Sequence, residues 1–461
     1  METVLSYSFL LFAFLFLLWL CLFRPQYLRD IFWLSIPLSF NISWGNVAIS
    51  FPSELLLCVL AGMLLISFFF SKETLIKPNF QPLHPLTFLL LLDVLWSFLT
   101  TFTAEYPLIA LKRSIIKMLY FLVFYLYHSQ IFEKEPKLIL RFFKLYFLGL
   151  LPVLFYTLIR HAPYSFSQTA ASDRCYPFYA EHAVYGTCLV FLVPYLLHLL
   201  GKFSTWKESL LATTLKISNL LLLCFACFAN NSRASWIGLM LALCMGFLLK
   251  LGVKFKTWML GLGIFFLIVW INQDAILLKL QENKAESRTE TLENQLASVT
   301  NISTDVSNLE RINRWWCAFE MIEQRPFWGW GSGNFEPCYA HFQRWHKITR
   351  ISTRNGEKGN AHSEILMALV EGGILGGIIW LSIMLVSFYC GTKIYFEHPQ
   401  TQACEWALFL LLGLMTYYVH SFFNAFLNQD EFAALLITSL AALKSLQYLT
   451  DKTPCKQTFF S

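Results

Sequence analysis

Charge is scarce in this chain. Only 14% of its 461 residues are Asp, Glu, Lys or Arg, where a soluble domain carries about 25%. That shortage excludes an ordinary water-soluble fold, because most of the chain has no water to face. An Asp-x-Asp pair of the kind that marks nucleotide-sugar enzymes is missing, and so are a Walker loop and a Gly-x-Ser-x-Gly elbow. The 12 Cys include one C-x-x-C, Cys224 and Cys227, but it lies inside an apolar run and no second C-x-x-C accompanies it, which does not favour zinc or iron–sulfur ligation. Most lie inside apolar runs, and Cys224 and Cys227 read as small packing residues of a helix. Any chemistry is therefore expected to be metal-independent and built from Arg and His, with no cofactor. A net charge of only +6 calls for no nucleic-acid partner. Cys175 and Cys338 both fall in predicted external loops, where a disulfide is an option that the sequence leaves open.

What the chain has in abundance is hydrocarbon. Hydrophobic residues make up 56% of it, with 45 Phe, as suits lipid-facing helices with aromatic belts at the interfaces. A bilayer crossing needs roughly 20 apolar residues, and about 13 runs come near that length. They lie near 5–23, 31–50, 53–70, 86–103, 108–129, 138–160, 182–200, 216–229, 234–250, 257–272, 363–390, 404–424 and 430–448. The first lacks a basic leader and an A-x-A cleavage site and reads as a retained span. The run 31–50 holds Pro37, Asn41, Ser43 and Gly45 and is the weakest, short, broken or re-entrant. The expected fold is an all-α integral membrane protein with about 12–13 transmembrane helices.

Lys and Arg cluster in alternate loops, from Arg24 and Arg29 through Lys134, Lys137, Arg141 and Lys144 to Lys250, Lys254 and Lys256, and finally Lys444, Lys452 and Lys456. Those loops should be cytoplasmic. The segments 161–181, 230–233 and 273–361 then fall on the other side. The last is the one long polar stretch, and it divides the chain into 1–272, a helical bundle; 273–361, a loop; and 362–461, the final spans. Within the loop, Ile312, Trp315, Trp316, Phe319 and Ile322 recur at helical spacing, which predicts an amphipathic helix on the membrane surface, ended by Pro326.

Three positions on that outer side stand out. Arg233, in Ser232-Arg233-Ala234-Ser235-Trp236, opens an apolar helix. It is either a snorkelling interfacial arginine or an anion clamp, since a guanidinium donates two parallel hydrogen bonds to phosphate. Arg311 and Arg314 are three apart and share a helix face beside Trp315. They read as a solvated charge pair or as the other half of a diphosphate clamp. His362, in Asn360-Ala361-His362-Ser363-Glu364, ends the loop. It is either a helix cap or a group able to take a proton at neutral pH, with Ser363 and Glu364 placed to orient the ring. Arg174, His182 and Tyr185 form a further cluster, read as a sugar-binding patch or an ordinary aromatic belt. The Gly372, Gly373, Gly376 and Gly377 group reads as helix packing.

Four blocks together resemble the O-antigen ligase/polymerase superfamily of bacterial inner-membrane glycan enzymes. They are Pro177–Gly186, Ser232–Trp236, Arg311 through Trp315 to Gly333, and Gly359–Glu364 with Glu371–Gly376. The resemblance covers roughly the C-terminal two thirds of the chain. The apparent span count exceeds the dozen or so usual in that family.

The resemblance implies that Arg233, Arg311 and His362 are the functional residues, with Arg314 a second candidate for the loop arginine. It implies transfer of a glycan from an undecaprenyl-diphosphate carrier to a membrane-anchored acceptor, most of all lipid A–core, at an active site facing the periplasm. A polysaccharide polymerase of the same superfamily is the alternative, and a lipid-linked glycan flippase or transporter a second. Arg174, His182, Tyr185, Arg314, Trp315, Asn360, Ser363 and Glu364 are the expected substrate-binding residues.

Overall fold

A computed structural model describes residues 19–21, 23–44, 47–70, 83–201, 210–272, 306–344 and 359–452. Nearly all of the first apolar run, and the 273–305 and 345–358 parts of the long polar segment, lie outside the described residues. The protein is an all-α membrane protein. Hydrocarbon offers no partner to a backbone N–H or C=O, so each apolar run closes its hydrogen bonds within a helix. Among the described residues, seven helices are long and apolar enough to cross a membrane: Lys137–Tyr164, His182–Gly201, Leu210–Ala229, Arg233–Lys250, Glu364–Glu397, Gln402–His420 and Asp430–Lys452. Ser53–Ser67 and Pro85–Thr101 are shorter apolar helices. Pro107–Tyr120 continues through a π-helical stretch, Phe121–Tyr127, into His128–Lys134, and Phe255–Ile271 is also helical.

The run 31–50 is not a membrane helix. Pro25–Ser35 and a 3₁₀ turn, Ile36–Leu38, lead into an antiparallel hairpin of Phe40–Trp44 and Val47–Phe51. Asn41 pairs with Ser50 across it, the Ser50 hydroxyl donating to Asn41 Oδ1 at 2.8 Å. Pro37 stops the helix, and polar residues alternating with apolar ones favour a strand over a lipid-facing helix.

Successive helices run up and down, so their ends gather on two faces. Arg141 with Asp30 (2.5 Å) and Lys444 with Glu133 mark the basic face. On the opposite face Asn334 Oδ1 accepts from Tyr106 N at 2.7 Å, Arg325 pairs with Glu105 at 2.7 Å, and Asn231 Nδ2 donates to the Phe166 carbonyl at 3.1 Å. The 182–201, 402–420 and 430–452 helices are 72% buried over their most apolar stretch, against 17% for 210–229. The first three are thus the centre of the bundle and the last its periphery.

The 364–397 helix is broken at Gly373, where φ is 65° and ψ −166°. A Cβ on Gly376 would lie 2.6 Å from the Ala368 carbonyl oxygen, and one on Gly377 would lie 2.4 Å from Leu369 Cδ2. Residues eight apart in a straight helix are separated by about 12 Å, so the first two turns fold back against the longer helical stretch beyond the break. These glycines pack against the chain's own preceding turns, where the sequence suggested a neighbouring helix. The loop after Pro326 is threaded into the break. Trp330 N donates to the Val370 carbonyl (2.8 Å), Gly331 N to Glu371 (2.9 Å), Ile374 N to Pro326 (2.8 Å), and Trp96 Nε1 to Gly372 (2.7 Å). Four backbone groups that the break would orphan are thereby satisfied.

The loop helix spans Val306–Gln324. It buries Ile312, Cys317, Ala318 and Met321 and leaves Phe319 exposed. Its buried face is therefore rotated from the one the aromatic spacing suggested, because small Cys317 and Ala318 admit close approach. Trp330, Phe335, Tyr339, Met367 and Val370 complete this second core. Cys338 belongs to it and Cys175 to the main core, and no disulfide links them.

Candidate functional site

His362 lies at the loop face with its backbone in the left-handed region, φ 48°. Its N–H donates to Asn360 Oδ1 at 2.8 Å, a turn closed by the asparagine side chain, and its carbonyl accepts a long bond from Trp315 Nε1 at 3.5 Å. Burial pushes the imidazole down to about 3, and the Arg314 and Arg311 guanidiniums push in the same direction. A cation crowded by the protein beside two cations is costly, so the half-buried ring is neutral at neutral pH.

The two loop arginines differ in their surroundings. Arg314 is 6% exposed. Its Nε donates to Glu310 Oε1 at 2.9 Å, its Nη1 to the Asn360 carbonyl at 3.1 Å, and its guanidinium lies 5.2 Å from the Tyr339 ring centroid. It ties the loop helix to the irregular segment that carries His362. Arg311, one turn earlier and partly open, exerts its charge on His362, Glu181 and His420. Of the two, it has the access a ligand needs. Glu181 borders the same space. Crowding by the protein raises its carboxyl above the usual range, and the Arg314 and Arg311 charges partly offset this.

Arg233 begins the 233–250 helix after its N-cap, Ser232. Gly186 allows this turn to sit against the start of the 182–201 helix, since a Cβ there would meet Asn230 Nδ2 at 2.2 Å. Asn230 Nδ2 in turn donates to the His182 carbonyl at 2.9 Å. A Cβ on Gly238 would lie 2.6 Å from the Thr416 carbonyl, which sets Arg233 level with the end of the 402–420 helix. There His420 is fully buried and bonded to Thr187 at 3.1 Å, and the Ser421 carbonyl accepts from Glu364 N at 2.9 Å. Arg233 and His182 thus share the face of Arg311 and His362.

Other expected residues have different surroundings. Arg174 stacks over the Tyr164 ring at 4.1 Å. Tyr185 is 1% exposed and packs on Tyr179 at 5.3 Å, inside the main core. Ser363 caps the following helix through Leu366 N. Glu364 Oε1 accepts from Tyr417 Oη (2.6 Å), Phe426 N (2.6 Å) and Leu427 N (2.8 Å), so it clasps the 421–427 turn. Nothing in the sequence marks His420 and Asn424. They sit in or beside an uncharged turn with no motif, and folding alone buries both.

Among the described residues, no group of three or more His, Cys, Asp or Glu stands ready to hold a metal ion. The arrangement offers guanidinium groups for an anion and a neutral imidazole for a proton.

No curated protein matches the chain. A family model described as O-antigen ligase matches residues 218–381, the stretch that holds Arg233, Arg311, Arg314 and His362. Over that stretch the chain is similar to the O-antigen ligase family, and it is a membrane protein with several apolar helices.

Proposed function

We propose that the protein transfers a glycan from an undecaprenyl-diphosphate carrier to lipid A–core in the bacterial inner membrane, at a site open to the periplasm. The observation that carries this reading is the placement of His362 next to the loop helix that bears Arg311 and Arg314, with Trp315 Nε1 donating to the His362 carbonyl and Arg314 to the Asn360 carbonyl. The acceptor hydroxyl oxygen attacks the anomeric carbon. The bond from that carbon to the diphosphate oxygen breaks, and the electron pair leaves with the carrier diphosphate. Arg311 and Arg233 meet the charge that develops on the leaving oxygen, which is where a fixed cation lowers a barrier. His362 takes the hydroxyl proton. Its basicity rises when the diphosphate arrives, because the anion cancels the guanidinium charge that depressed it. No metal is needed in this scheme, since arginine supplies the positive charge. The lysine- and arginine-rich loops on the opposite face support the orientation.

The test is a deletion strain complemented with His362→Ala or Arg233→Ala, at normal protein level. Loss of glycan on lipid A–core in both supports the reading, and full transfer in both ends it. The same strain separates ligation from polymerisation. A missing ligase leaves long carrier-linked polymer and bare core, whereas a missing polymerase leaves core capped by one repeat.

A further inference from the structure

The break in the 364–397 helix leaves backbone carbonyls without helical partners, and the protein supplies a donor to each of three in a row. Val370 O accepts from Trp330 N, Glu371 O from Gly331 N, and Gly372 O from Trp96 Nε1. The hydroxyls nearby bond one another. Ser97 and Ser332 meet at 2.7 Å, Ser97 and Ser114 at 2.8 Å, and Ser114 also reaches the Ser97 carbonyl at 2.9 Å. One acceptor in this satisfied region is left over. Glu371 Oε1 is enclosed and meets no hydrogen-bond donor among the described residues. Such an oxygen costs free energy and is rare in folded proteins, so it calls for a reason. A loose backbone is not that reason, since a Cβ on Gly329 would lie 2.6 Å from the Glu371 carbonyl, so the threaded loop packs directly on the residue.

An aromatic surface lies beside the carboxyl. The Trp96 and Trp328 rings stack at 5.2 Å, with 14° between their planes. Trp96 is bonded to Gly372, the residue after Glu371, and Trp328 directly precedes Gly329. Trp328 is 50% exposed and Glu371 is partly exposed, so both border open space. A pyranose offers an apolar ring face and hydroxyl donors around its rim. An open indole suits the first and an unbonded carboxyl oxygen the second, and a few convergent polar groups on an apolar wall are what a small-molecule subsite requires. We propose that Glu371 and Trp328 form a sugar subsite, in which Glu371 Oε1 accepts a hydroxyl of a pyranose lying against the Trp328 ring. The sugar belongs either to the glycan that is transferred or to the one that receives it. This inference rests on the reading of the protein as a glycan transferase.

The experiment measures equilibrium binding to the full chain in lipid discs with two probes, the glycan cleaved from its carrier and the core oligosaccharide cleaved from lipid A. Wild type is expected to bind one of them, which assigns the sugar to donor or acceptor. Glu371→Leu should bind that probe about 10-fold more weakly, the scale of one lost hydrogen bond. Its melting temperature should equal or exceed that of wild type, because no bond within the protein is lost. Trp328→Ala, at an exposed position, should weaken the same probe. Unchanged affinity for both probes in Glu371→Leu overturns the inference, and a lowered melting temperature alongside it would assign the carboxyl to the fold. Wild type that binds neither probe, or variants that each weaken a different one, overturn it equally. Full transfer by His362→Ala instead sinks the reading of the reaction, a failure seen in a separate assay from these affinities.

Discussion

The guanidinium of Arg314 occupies the space that a side chain on Gly359 would need. A Cβ there would lie 1.6 Å from Nη1, and the glycine backbone has φ +143°. From that position Arg314 reaches the Asn360 carbonyl, two residues before His362. Gly359→Ala should therefore displace the arginine and strain the backbone, at about 1–3 kcal/mol for the strain alone. A drop in melting temperature with loss of transfer is expected, and a fully active, equally stable variant would contradict this contact.

Arg311 and Arg314 should separate by phenotype. Arg311→Ala should keep its stability and lose about 10²–10³-fold in kcat, the scale for removing one charge-stabilising donor. Arg314→Ala leaves Glu310 buried without its partner, which costs about 3–5 kcal/mol. Thermal melts of the two purified variants decide it, and identical melting temperatures would refute the division of roles.

Glu364 serves here as an acceptor for three donors. A glutamine can still offer its carbonyl oxygen to all three, whereas alanine orphans buried N–H groups at about 1–3 kcal/mol each. Glu364→Gln should retain most transfer activity and Glu364→Ala should unfold at lower temperature. An inactive but stable Glu364→Gln would point to a proton-handling carboxyl.

Gly373→Ala should be severe. The added Cβ would sit 2.2 Å from the Phe327 carbonyl oxygen, at a φ that other residues rarely adopt. Reduced membrane-inserted protein, or protease sensitivity in the 326–333 loop, is the expected readout, and wild-type yield and resistance would speak against the threaded break.

His362 also makes stability depend on pH. The folded ring titrates at about 3 and the free group at 6.5. Below 6.5 the unfolded chain takes up the proton and the folded chain does not, so stability falls as pH falls toward 3 and is untouched above that window. His362→Gln removes this contribution, so its melting temperature should decline less between pH 7 and 5 than that of wild type. Parallel declines would show that the ring is not held neutral.

The amino-acid sequence by itself determined the membrane class, and its charge pattern led us to expect Arg233, Arg311 and His362 on one side of the bundle. Apolar length and the spacing of Lys and Arg are local properties, readable one segment at a time. The 31–50 run was marked in the sequence as the weakest span by Pro37 and its polar residues, and it folds as a short helix followed by a hairpin. Only the tertiary structure decided that Arg314 is pinned while Arg311 is partly open, and that Glu364 clasps the 421–427 turn. Each is a contact between residues far apart in the chain. Hydrogen-bond geometry and burial select such partners, and no periodicity along the sequence encodes them.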